Sequence, residues 1–116
     1  MNEEIVKHAM DIILFAGDAR NTCKLALDVI ADDNYEEANK YLKQAQEQIT
    51  EAHKIQTDVI QKSMTNENQE YNLLFSHAQD TLMTIYSEIN ITKQLIKIFE
   101  KQRGADEKNK YEWIPQ

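Results

Sequence analysis

The sequence predicts an all-α protein, an antiparallel up-down-up three-helix bundle. Three observations carry that reading. The 116 residues include only 2 Gly and 1 Pro, too few breakers for the turns of a sandwich or barrel. Apolar residues recur at helical spacing over three long stretches. Two short polar breaks, "ADDN" at 31–34 and "TNENQE" at 65–70, separate those stretches. Short loops between long helices make sequence neighbours antiparallel.

The first helix is expected over residues 3–31. Asn2 can cap it, and Glu3 and Glu4 suit the positive end of its dipole. Gly17, inside it, costs about 1 kcal/mol against Ala, and the close approach of a neighbouring backbone would be a reason to keep it. Asn34 caps the second helix, with Glu37 at the third helical position as in a capping box. Its stripe is Tyr35, Ala38, Leu42, Ala45, Ile49, Ala52 and Val59, with polar Gln56 at one heptad position. The third helix is expected from about Tyr71 to Arg103. Lys101 and Arg103 suit its negative end, and Gly104 is its expected C′ residue. Residues 1–104 then form one three-helix domain. Residues 105–116, "ADEKNKYEWIPQ", read as a polar tail that includes Trp113.

Composition excludes several functions. A net charge of −7 without a basic stripe argues against nucleic acid. No apolar run reaches the roughly 18 residues of a membrane span, so direct membrane insertion is not expected. The start, "MNEEIVKHAM", lacks a signal peptide's basic and apolar regions. Cys23 has no partner for an internal disulfide and fits a reducing cytoplasm. Beside Leu25 and Ala26 it reads as a packing residue and not as a nucleophile.

Helix three carries two apolar lines. The first is Phe75, Ala78, Leu82, Ile85, Ile89, Leu95 or Ile96, and Phe99, which can pack on the other two helices. At about 100° per residue, Leu73, Ile91, Leu95 and Ile98 centre well over 90° away. His77, Asp80 and Thr84 fall on that second line. A second apolar line on a bundle helix calls for a second partner, and a homo-oligomer with this helix near its axis is the economical one. The competing reading is one broad core face. Near an axis, symmetry-related Asp80 carboxylates would repel, and a hard cation such as Mg²⁺ would relieve them. A solvated Asp80 is the alternative.

A neutral imidazole is a good nucleophile towards phosphoryl donors and passes the group onward readily. His77 is the candidate, with Gln79, Thr81 and Thr84 as nearby donors to phosphate oxygens. Reflecting positions across the loop near residue 67 puts His53 and Gln56 level with 78–81, so they join the candidates. The alternative is a structural or surface histidine, the reading given to His8. Other chemistries fail simple tests. No Glu lies three residues before His8, His53 or His77, which rules out a ferritin-type pair. There is no H-E-x-x-H, C-x-x-C or G-x-x-x-x-G-K.

"FAGDAR" (15–20), "EAHKIQT" (51–57) and "LLFSHAQDTLMT" (73–84) together resemble the lactose/cellobiose-type enzyme IIA of the bacterial sugar phosphotransferase system. "NYEEANKYL" (34–42) is similar to the acidic turn that opens that family's second helix. The resemblance covers nearly all of residues 3–101. It implies a cytoplasmic phosphotransferase component that assembles as a homotrimer. It implies that His77 takes a phosphoryl group from the phosphocarrier protein HPr and passes it to a cysteine of the cognate IIB component, while a membrane IIC component carries the sugar. It implies that Asp80 meets its symmetry mates at a divalent cation, Mg²⁺ or similar, on the threefold axis. Two positions depart from the family pattern. Thr81 stands where a second His is usual, and Ser76 where an apolar residue is usual. Thr81 can hydrogen-bond a phosphate but carries no charge. That departure leaves one alternative from another class: a non-catalytic helical oligomerisation module of the same fold.

Overall fold

The computed structural model describes residues 3–64 and 72–112, with side chains through Lys108. It contains three helices: α1 (Glu3–Ile30), α2 (Tyr35–Met64) and α3 (Leu73–Glu112). Cross-helix contacts fix their directions. Lys62 near the end of α2 pairs with Glu4 at the start of α1, so those two run antiparallel. Arg20 pairs with Glu88, and Cys23 with Thr92, so α1 and α3 run parallel.

The helix ends are set by local chemistry. Asp33 takes a left-handed conformation at φ 57°. The Asp33 amide donates to the Ile30 carbonyl, and the Asn34 amide donates to the Val29 carbonyl. This is a Schellman closure of α1 with Asp in the place glycine usually takes. Asn34 then turns from closing one helix to opening the next, its Oδ1 accepting from the Glu37 amide at 3.1 Å. Asn72 does the same for α3, accepting from the Phe75 amide at 2.9 Å. The expected start at Tyr71 falls outside the described residues. The cap signal itself was present in an Asn directly before "LLF".

The α2 stripe is buried as expected at Ala38, Leu42, Ala45, Ile49, Ala52 and Val59. It meets Ala9, Ile12, Ala16, Ala19 and Ala26 of α1, and Ala78, Leu82, Ile85, Ile89 and Ile96 of α3. Alanine at so many contacts lets the helix axes come close. Between Leu95 and Ile96 the choice falls on Ile96, 1% exposed, while Leu95 is half-buried. Phe99 was expected in this core and is 46% exposed. At its level α1 has already ended and α2 is only beginning, so no second layer covers the ring. Its carbonyl instead accepts from the Tyr35 hydroxyl at 3.3 Å.

Thr92 fills the gap between Ile89 and Ile96 as a buried hydroxyl. It accepts from the Cys23 thiol at 2.9 Å and donates to the Glu88 carbonyl at 2.9 Å. Burial pushes the thiol up from its ordinary range, the Thr92 hydrogen bond works against that, and the Glu88 charge adds to it. Cys23 is therefore a packed thiol and a poor nucleophile, as its sequence context indicated.

Two expectations need correction. α3 does not stop at Gly104 but runs on to Glu112. A C′ glycine requires a positive φ, and no glycine has one among the described residues. Arg103 is held from both sides, by Asp33 at 3.4 Å and by Glu107 one turn on at 3.2 Å, which carries the helix across the glycine. The tail residues through Glu112 are thus helical, and Trp113 lies outside the described residues. Gly17, in turn, meets no neighbouring backbone: a Cβ built there finds nothing within 4 Å. Within one subunit the glycine only weakens α1. Gly17→Ala is expected to stabilise the subunit by about 1 kcal/mol, a rise in Tm of about 4–8 °C in a thermal melt. A fall instead would mean that another chain packs against that position.

Candidate functional site

The second line on α3 is open. Leu73, His77, Asp80, Thr84, Ser87, Ile91, Gln94 and Ile98 are all exposed. Their spacing alternates four and three, the period that keeps one seam facing a partner helix. Leu73, Ile91 and Ile98 are 73%, 58% and 56% exposed, so the single broad core face is ruled out. The seam divides into a polar stretch from His77 to Ser87 and an apolar stretch from Ile91 to Ile98.

His77 sits in the first turns of α3, directly after the Asn72 cap, on rigid helix and not on a loop. Its imidazole is exposed and forms no ion pair among the described residues. An accessible ring nitrogen is what attack on a phosphoryl donor requires. Asp80 lies on the same seam, also exposed, one turn further along. Its backbone carbonyl, and not its carboxylate, accepts from the Thr84 hydroxyl at 2.8 Å.

The flanks of the seam differ. On one side, Arg20 clamps Glu88 through two hydrogen bonds of 2.9 Å each, from Nε and Nη2, and so marks the side where α1 lies. Thr81, two turns before Glu88, is half-buried on this flank. On the other side, the His53 ring of α2 meets the Tyr86 ring edge-on at 5.1 Å. Gln79, two turns before Tyr86, is half-buried on this second flank. The Arg20 clamp and the His53–Tyr86 contact were not foreseen. One chain read alone pairs no residue across helices, and Arg20 was visible only as part of "FAGDAR".

The contact also corrects the expected level of His53. It stands beside Tyr86, not beside 78–81, which is about 13 Å along the helix from His77. The gap between Met64 and Leu73 is centred beyond residue 67, and a misplaced mirror shifts reflected positions by twice its error. Gln56, half-buried one turn along α2, moves with it. The structure therefore brings Thr81 to the His77 side of the subunit, and places Gln79, Gln56 and His53 on the opposite flank. The His53 Nε2 is buried and has no hydrogen-bond partner among the described residues. Its contact with Tyr86 is that of two packed rings.

His8, the remaining histidine, accounts for itself differently. Its Nε2 lies 3.5 Å from Glu4 on the same helix. The His8 hydrogen bond, then Lys62, hold the exposed Glu4 carboxyl below its usual range. No helix among the described residues is long and apolar enough to cross a membrane.

Known proteins resemble this chain in sequence and in fold. The sequence profile described as "PTS system, Lactose/Cellobiose specific IIA subunit" matches residues 7–100. The lichenan-specific phosphotransferase enzyme IIA component of Bacillus subtilis (strain 168) is 37% identical over 108 residues, spanning 90% of this chain and 98% of its own length. The crystal structure of the cellobiose-specific enzyme IIA from Bacillus anthracis superposes with a TM-score of 0.81 at 30% identity, covering 90% of this chain and 95% of that one. The IIA(Chitobiose) chain solved in complex with HPr from Escherichia coli superposes with a TM-score of 0.77 at 28% identity, covering 88% and 99%. The profile match and the B. subtilis relative leave one conclusion: the chain belongs to the lactose/cellobiose-specific IIA family of the sugar phosphotransferase system.

Proposed function

We propose that the chain is a cytoplasmic phosphocarrier in which His77 takes a phosphoryl group from HPr and hands it to a cysteine of the cognate IIB component. The observation that carries this reading is an exposed, unpaired imidazole on rigid helix within a family of phosphotransferase components. An HPr complex solved for a structural neighbour supports the donor. In the first step a ring nitrogen of His77 attacks phosphorus with its lone pair. The bond from phosphorus to the donor breaks, and its electron pair stays on the donor. In the second step a cysteine thiolate of IIB attacks the same phosphorus. The P–N bond breaks, and neutral His77 is restored. Thr81, on the His77 side of the helix, donates its hydroxyl hydrogen to a phosphoryl oxygen in both steps.

The working unit is a homotrimer closed around the α3 seam. Eight exposed positions at heptad spacing, apolar at one end, support a parallel assembly of identical helices. Threefold rotation brings three Asp80 carboxylates to the axis. Among the described residues, one subunit holds no group of three or more metal-ligating side chains. Three converging carboxylates would supply the oxygen ligands that a hard divalent cation such as Mg²⁺ takes. Bound there, the ion would neutralise the ring of like charges and take no part in phosphoryl transfer.

A discharge assay tests the function. Chain loaded by phospho-HPr and freed of it should lose its phosphate within seconds of adding the cognate IIB, with IIB gaining it. Loaded chain that holds its phosphate in the presence of IIB would contradict the carrier role. Chain that never loads would favour the non-catalytic module of the same fold.

A further inference from the structure

Gln94 interrupts the apolar end of the α3 seam. It lies between Ile91 and Ile98, which are 58% and 56% exposed, with the half-buried Leu95 beside it. It stands about 4.5 Å along the helix from Ile91 and about 6 Å from Ile98. Its amide is exposed and makes no hydrogen bond among the described residues. A shallow hollow of about 400 Å³ opens on the same face, between Ser87, Asn90, Ile91 and Gln94. Nothing within one subunit accounts for a glutamine at this position, where an apolar side chain would continue the seam. Three copies around an axis do account for it. Threefold rotation puts three Gln94 side chains in one layer, with a layer of isoleucine on either side. A carboxamide carries both a donor and an acceptor. Three of them complete a ring in which each N–H donates to the carbonyl oxygen of the next. The Asp80 layer differs in kind. Carboxylates only accept, so that layer needs a cation, whereas the Gln94 layer satisfies itself.

We propose that Gln94 selects the partners of this chain: three Gln94 amides form a closed hydrogen-bonded ring on the axis, and only a copy with an amide at that height completes it. A chain of the same fold with an apolar side chain there leaves a donor and an acceptor unpaired between apolar layers, which disfavours the mixed trimer. A single polar residue in an apolar seam fixes register and partner in this way, at some cost in stability. Gln94 is then a specificity residue for self-assembly and takes no part in phosphoryl transfer. This inference rests on the trimer proposed above.

Mixed refolding tests it. Tagged wild-type chain is refolded from denaturant with an equal amount of untagged Gln94→Ile chain, and native mass spectrometry counts the trimers by composition. The random share of mixed trimers is the one that tagged and untagged wild type reach when treated the same way. Isoleucine suits such a layer, so Gln94→Ile alone should still form a trimer. Trimers that mix it with wild type should fall about tenfold below the random share, because each leaves buried polar groups unpaired. A wild-type chain that is monomeric overturns the trimer and the inference together. A wild-type trimer that mixes with Gln94→Ile at the random share overturns selection by Gln94 and leaves the trimer standing. A Gln94→Ile chain that stays monomeric also overturns it, since the amides would then drive assembly and not choose between partners.

Discussion

His77→Ala is expected to abolish phosphoryl acceptance from phospho-HPr, while His8→Ala leaves it intact. The contrast follows from where the two rings sit. His77 is an exposed imidazole at the start of α3 with no ion pair among the described residues. His8 is tied to Glu4 on the same helix turn. Neither change should unfold the bundle, since neither side chain belongs to the buried core. Circular dichroism on both variants checks that, and a loading assay reads the rest. Loss of acceptance in His8→Ala with retention in His77→Ala would reverse the assignment.

The second large effect concerns the seam. Ile91→Asp is expected to leave folded monomers, and Asp80→Leu to leave a trimer that no longer needs its cation. Ile91 is 58% exposed in one subunit, so the bundle itself does not depend on it. Burying it at the axis contributes about 1.5–3 kcal/mol per subunit, and an aspartate there would add three unpaired charges. Asp80 works in the opposite sense. Three converging carboxylates oppose assembly until a cation binds, so a chelator should lower the melting temperature of the wild-type trimer. Exchanging those charges for leucine is neutral or stabilising by about 1–4 kcal/mol when the replacement packs. Melts with and without EDTA, with mass from light scattering, read both variants. Wild type unmoved by EDTA, together with an Asp80→Leu chain that falls apart, would mean that Asp80 holds the trimer by a hydrogen bond and not through a metal.

The stripe on α2 was legible because six of its positions are buried at helical spacing, five of them in one core, and periodicity reports that directly. The two lines of α3 were legible for the same reason. Periodicity says nothing about where a layer runs out, so Phe99 was placed in a core that has already ended. The helix end was misread because glycine stops a helix only when it turns left-handed. Arg103, bridging Asp33 and Glu107, gives the chain no cause to turn there. His77, Asp80 and Thr81 were picked out by motif, and their faces on α3 follow from helix geometry. Gln79 was named by the same motif, and the helix puts it on the flank away from His77. A string shows that two residues are close in sequence, and two positions apart on a helix is almost as far around as residues can be. His53 and Gln56 were placed by reflection, which is only as good as the mirror.

The central claim is that His77 carries the phosphoryl group. The most direct measurement is to load the chain with phospho-HPr, digest it at neutral pH or above, and locate the phosphate by tandem mass spectrometry. The account predicts one phosphoryl group per chain, on the peptide containing His77, stable to alkali and lost in acid as a phosphoimidazole is. Phosphate on His8, His53 or a hydroxyl residue, or a chain that stays unmodified while a known IIA protein loads beside it, would contradict it.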